Sequence, residues 1–120
     1  MEKATLEVLR YDAESWRGWR AEQVKYFPTW VLPPEHTLVQ AGLATALAVK
    51  PDSPSQSGRW TFSTNGVATM GRLGIPTIGY APGREELAHS RFEEVAVADL
   101  LTATAFYSLF PLELQRHQID

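Results

Sequence analysis

An α/β arrangement is what this sequence predicts, because segments patterned as strands alternate with segments patterned as helices. Three observations carry that expectation. Residues 4–11 alternate loosely, with Leu6 and Val8 set between Thr5, Glu7 and Leu9. Residues 75–80 form an apolar run of the kind buried in a sheet, with Pro76 tolerated near the strand start. Apolar residues then recur at helical spacing in two places, around Val39 and again from Val97 onward.

Taken in order, residues 4–11 read as a first strand. Residues 12–23 carry Gly18, several charges and the pair Trp16 and Trp19, and read as a linker or long excursion. The stretch Tyr26-Phe27-Pro28-Thr29-Trp30-Val31-Leu32-Pro33-Pro34 cannot be helical, because its prolines fix φ and remove donors. The Pro33-Pro34-Glu35 step opens a helix instead, with Val39, Leu43, Ala46 and Leu47 on one face. Residues 51–58 are rich in serine and proline and predict a loop.

Trp60 and Phe62 alternate with Arg59, Thr61 and Ser63 as a short strand. Asn65 then serves as N-cap of a short helix whose Val67, Met70 and Leu73 share a face, ended by Gly74. After the strand at 75–80, residues 81–95 form a loop containing His89. Val97, Leu100, Leu101, Thr104, Ala105 and Ser108 define the stripe of a long helix, stopped by Pro111, and residues 113–120 read as a fraying polar tail. Two segments follow: 1–22, a strand and linker, and 23–120, the body.

Composition bounds the function. At 120 residues, 44% hydrophobic and 21% charged, the chain is sized for one domain with one core. The net charge of −3, with scattered basic residues, argues against nucleic acid as a partner. No apolar run in the sequence approaches the roughly 20 residues of a membrane span, so no membrane is expected. Met1-Glu2-Lys3-Ala4-Thr5 opens no signal-peptide pattern, since Glu7 and Arg10 interrupt the apolar residues, and a cytoplasmic location is the expectation. The absence of cysteine excludes disulfides, thiol catalysis and cysteine-ligated zinc.

His89 is the residue of chemical interest. Imidazole is a common zinc ligand, and loops at strand ends are where open sheets bind ligands. A surface or helix-capping histidine is the competing reading, and no local His-x-x-x-His or Glu-x-x-His completes a site. Ser63-Thr64-Asn65-Gly66 offers hydroxyls, an amide and helix-start N–H groups suited to a carboxylate, or else simply a well-capped helix. Glu85, Glu86, Glu93 and Glu94 bracket the histidine as candidate bases or as partners orienting it, or as a solvated acidic loop. His36, at a helix start, and His117, in the tail, read as surface residues.

Together, Trp60-Thr61-Phe62-Ser63-Thr64-Asn65-Gly66-Val67, Gly74-Ile75-Pro76-Thr77-Ile78-Gly79, Pro82-Gly83 and Ala88-His89 resemble one family. It is that of the dinuclear-zinc metallopeptidases, which includes glutamate carboxypeptidase, aminoacylase, acetylornithine deacetylase and succinyl-diaminopimelate desuccinylase. The chain is most similar to the subgroup named selenium-metabolism-linked hydrolases, which share a stretch like Lys25-Tyr26-Phe27-Pro28-Thr29-Trp30-Val31-Leu32-Pro33. The resemblance runs from about Leu6 to Leu112.

It implies the C-terminal portion of a layered α/β zinc-peptidase catalytic domain, preceded by one strand resembling the end of the lid domain. It implies that His89 is a metal ligand, that Thr64, Asn65 and Gly66 bind substrate, and that Gly83 and Glu93 support the ligand loop. The implied cofactor is zinc, two ions in the complete site, with manganese or cobalt as alternatives. The family's first metal histidine, bridging aspartate, base glutamate and remaining carboxylate ligand match nothing in this chain. Phe92 stands where Asn or Asp is usual, and Ala81 where glycine is common.

The expectation is therefore a fragment or subunit of a hydrolase of peptides or N-acyl amino acids, inactive alone. Its partner would be the N-terminal half of the enzyme or a separately encoded chain, and homo-oligomer formation is a further expectation. The alternative is a non-catalytic interaction or oligomerisation module that keeps the fold.

Overall fold

Alanine, leucine and valine dominate residues 37–49, with no glycine but Gly42, and they form helix α1 (Thr37–Val49). The computed structural model describes residues 4–119. His36 caps α1: its Nδ1 accepts from the Leu38 N–H at 3.1 Å. The prolines at 33 and 34 lie in the turn before it, where the His36 N–H donates to Pro33 O at 3.0 Å. Of the expected stripe, Val39 and Ala46 are buried, Leu43 is half-buried and Leu47 is exposed.

Helix α2 (Val97–Ile119) packs against α1. On α2, Phe106 is 3% exposed, with its ring stacked on Tyr80 at 3.9 Å and on Phe110 at 5.5 Å, and Phe110 in turn lies near Gly42 of α1. Gly42 lets α1 come close to the 75–80 segment, since a Cβ there would sit 2.7 Å from Ile78 Cδ1. Val39, Ala41, Ala46, Ala103 and Phe106, with buried Thr45 donating to Ala41 O at 2.7 Å, make up the described core.

Two sequence expectations for α2 are corrected. The helix passes through Pro111 to Ile119 instead of stopping, and residues 113–119 are helical, with Glu113 paired to Arg116 at 3.3 Å and His117 at 3.6 Å. Proline removes one backbone donor but leaves the flanking turns intact. Val97–Gln118 is also long and apolar enough, by length and composition, to cross a membrane, with mean hydropathy 1.2. That length appears only when the helix continues past Pro111.

The strand expectations are also corrected in detail. Only Arg10–Tyr11 (β1) is a strand within 4–11; it pairs antiparallel with Gln23–Val24 (β2), with Arg10 opposite Val24 and Tyr11 opposite Gln23. Residues 12–23 are thus the tip and return arm of a hairpin, turned at Gly18 (φ 80°) and bound by Arg20–Asp12 and Arg10–Glu22 ion pairs. The ladder crosses the 22/23 boundary. Residues 60–62 and 75–80 have no ladder partner among the described residues.

The expected helix after Asn65 is a π-helical turn, Val67–Arg72, closed by the Leu73 N–H donating to Ala68 O at 3.2 Å. Gly74 ends it with φ 69°, a left-handed position suited to glycine.

Candidate functional site

The π-helical turn is held by aromatic rings lying on glycines. Trp30 covers Gly66 so closely that a Cβ there would collide with the indole, and its Nε1 donates to Thr77 O at 3.1 Å. Pro28 O approaches Gly71, where a Cβ would lie 2.8 Å away. Trp60 lies over Gly79 in the same manner. The proline- and tryptophan-bearing segment 26–32 therefore lies against the 64–72 loop and the 75–80 segment.

Gly66, not Asn65, is the N-cap of the turn, and no side chain caps it; Thr64 instead fastens the approach to it. Its Oγ1 accepts from the Gly66 N–H at 3.2 Å, and its carbonyl accepts from Val67 N–H at 3.0 Å. Asn65 O accepts from Ala68 N–H at 2.9 Å. The helix-start N–H groups are thereby used internally, which favours the reading of this stretch as a satisfied helix start over that of N–H groups free for a carboxylate. The Asn65 side chain is exposed and has no hydrogen-bond partner among the described residues.

Thr64, Asn65, Gly66 and Gly83 line one open cleft of about 1250 Å³, together with Trp60 and Tyr107. The Tyr107 hydroxyl donates to Tyr80 O on the same side. Gly83 has φ 103°, a backbone conformation that glycine adopts freely and other residues rarely do. His89 and Glu93 lie outside the cleft lining.

His89 is exposed and has φ 62°, a left-handed conformation. Its backbone N–H donates to Glu93 Oε2 at 3.0 Å. Its ring meets Phe62 edge-on at 5.8 Å, and Phe62 stacks on Trp60 at 6.2 Å. No hydrogen bond engages the ring nitrogens among the described residues. The backbone of His89 is thus fastened by Glu93 while its ring is held only by the Phe62 contact. Among the described residues no group of three or more His, Asp or Glu side chains converges on one point. A catalytic zinc needs about three protein ligands, and the described residues bring together no such set.

The acidic residues divide among Thr61, Arg84 and the His89 backbone, with Glu86 and Glu94 sharing Arg84. Glu85 Oε1 accepts from the Thr61 N–H at 3.0 Å and Thr61 Oγ1 at 3.1 Å. Glu86 pairs with Arg84 at 2.9 Å, and its carboxyl is held below the ordinary range by its own backbone N–H first and Arg84 second. Glu94 lies 3.8 Å from the same guanidinium. The contributions of Trp30, Trp60, Phe62 and Thr61 went unrecognised in the sequence, because ring-on-glycine contacts leave no local pattern.

The chain is 39% identical over 109 residues to "Uncharacterized protein YgeY" of Escherichia coli K12, and to the protein of the same description in Escherichia coli O157:H7. Each match covers 91% of this chain and 27% of the relative, so the chain spans about a quarter of the length of the curated relatives it matches. No protein-family model and no solved structure matches it.

Proposed function

We propose that this chain is one part of a dinuclear-zinc metallopeptidase or amidohydrolase acting in the cytoplasm on amide bonds of peptides or N-acyl amino acids. The observation that supports this reading is a juxtaposition. The family resemblance assigns Thr64, Asn65 and Gly66 to substrate and His89 to metal, and the segment just before Thr64 touches the 81–95 loop through Glu85–Thr61 and Phe62–His89 beside one cleft.

In this reading His89 supplies one donor to the metal pair, and Glu93 holds the His89 backbone in its left-handed turn. The uncommitted Asn65 amide and the Thr64 hydroxyl orient a polar substrate group, and Gly66, buried under Trp30, lets the loop that carries them seat against the indole. Bound zinc would polarise the scissile carbonyl and activate water. The other ligands and the general base come from an N-terminal half or a separately encoded partner, so the chain alone is inactive.

A second reading is favoured by the large exposed apolar surface, which includes Leu6, Val31, Leu73 and Val97. This is a non-catalytic interaction or oligomerisation module. Co-purification with a polypeptide bearing the complementary ligands separates the two. The enzyme reading expects a complex that binds zinc and cleaves N-acyl amino acids, with His89→Ala lowering activity by roughly a hundredfold or more. A stable complex that takes up no zinc and cleaves nothing overturns it in favour of the module.

A further inference from the structure

We propose that Glu85 is the positioning residue that clamps the His89 loop to the 60–66 loop, through Thr61. The proposal rests on the enzyme reading only for its functional consequence; the clamp itself stands on geometry.

Glu85 is the one carboxylate in its loop that reaches another segment of the chain. Glu86 and Glu94 face Arg84, and Glu93 binds the His89 backbone four residues away. Glu85 instead spans 24 residues of sequence and accepts both donors of Thr61 on a single oxygen. It opens the short 3-10 turn Glu85–Leu87, and that turn leads directly into His89: the Ala88 N–H donates to Glu85 O at 3.1 Å, and the Ser90 N–H to Leu87 O at 3.1 Å. A pull on the Glu85 side chain is thus carried through hydrogen-bonded turns to the histidine.

Thr61 sits between two aromatic anchors. On one side Trp60 lies over Gly79; on the other Phe62 meets the His89 ring. Thr64 follows three residues later at the cleft. Around His89 the loop is exposed, so its own packing does little to fix the ring. The two hydrogen bonds to the Glu85 carboxylate, although exposed, are charge-assisted and tie the loop to a second segment. In the assembled enzyme the consequence is that the metal-ligand loop and the substrate loop move as one unit.

NMR of the metal-free chain tests this. In Glu85→Ala the Thr61 amide is expected to exchange roughly tenfold faster. The Phe62–His89 cross-peaks are expected to disappear while α1 and α2 amides stay as in the parent. Glu85→Gln keeps an acceptor oxygen and is expected to restore the cross-peaks, and Glu86→Ala is expected to leave them untouched. Should Glu85→Ala unfold, Thr61→Val, which removes only the hydroxyl, is expected to give the same changes in smaller measure. Retained cross-peaks and Thr61 protection in Glu85→Ala (or in Thr61→Val, if it alone folds), or equal loss in Glu86→Ala, overturn the clamp. Because no metal is used, a failure of zinc binding in the complex leaves this outcome independent, and the converse also holds.

Discussion

His89 adopts a left-handed backbone that costs a non-glycine residue about 1–2 kcal/mol. The Glu93 carboxylate on its N–H offsets part of that strain. Histidine is among the non-glycine residues that enter this region more readily, and the conformation is consistent with the proposed role of His89 as a metal donor. His89→Gly is accordingly expected to raise the unfolding free energy of the chain by about 1 kcal/mol in urea titration, while removing the zinc donor from the complex. A loss of stability would show that the imidazole contact with Phe62 outweighs the backbone strain. Local conformation was legible at Gly74, whose place after the Val67, Met70 and Leu73 face predicts the left-handed position it occupies. That Gly66 rather than Asn65 takes the N-cap position was not, because Asn65 suits a cap and only the path of the chain decides where the turn begins.

Helix α2 shows the same limit among elements. The sequence stripe Val97, Leu100, Leu101, Thr104, Ala105 and Ser108 predicts one buried face, yet Val97 is 71% exposed and Leu101 68%. The face that meets α1 carries Ala103, Phe106 and Phe110 instead. Apolar residues lie on both sides of this helix, so periodicity identifies the helix without identifying its packed side. Phe106, between Tyr80 and Phe110, joins α2 to the 75–80 segment. Phe106→Ala is expected to cost about 3–5 kcal/mol and to lower the helical melting temperature sharply. An unchanged melting curve would mean that the two helices do not depend on this stack. The strands fared differently. Residues 60–62 and 75–80 have the composition of strands, but a ladder requires a neighbour, and none lies beside them among the described residues.

Across the whole molecule, the accessible surface is 10114 Å², against roughly 6,500 Å² for a folded monomer of this mass. The radius of gyration, 18.5 Å, likewise exceeds the about 14 Å expected for 120 residues. The excess area is on the scale that obligate interfaces bury. It includes the exposed stripe of α2 and the hairpin tip with Trp16, 91% exposed. Leu101→Asp is therefore expected to change the stability of the isolated chain by no more than about 0.5 kcal/mol. The same substitution is expected to abolish assembly with the complementary polypeptide, read by size-exclusion chromatography with light scattering. A destabilised monomer, or undiminished assembly, would remove this stripe from the proposed interface.

The sequence by itself determined the parts that depend on near neighbours. These are the proline-bearing segment before α1, the helices, the glycine that ends the π-helical turn and the loop that carries His89. Each follows from φ preference, missing donors or short-range spacing, which a few consecutive residues settle. Only the tertiary structure decided which face of α2 is buried, that Trp30 and Trp60 cover Gly66 and Gly79, and that Glu85 reaches Thr61. Those contacts join residues such as Trp30 and Thr77, 47 positions apart. Their energies arise where distant segments meet, and no local pattern records that meeting.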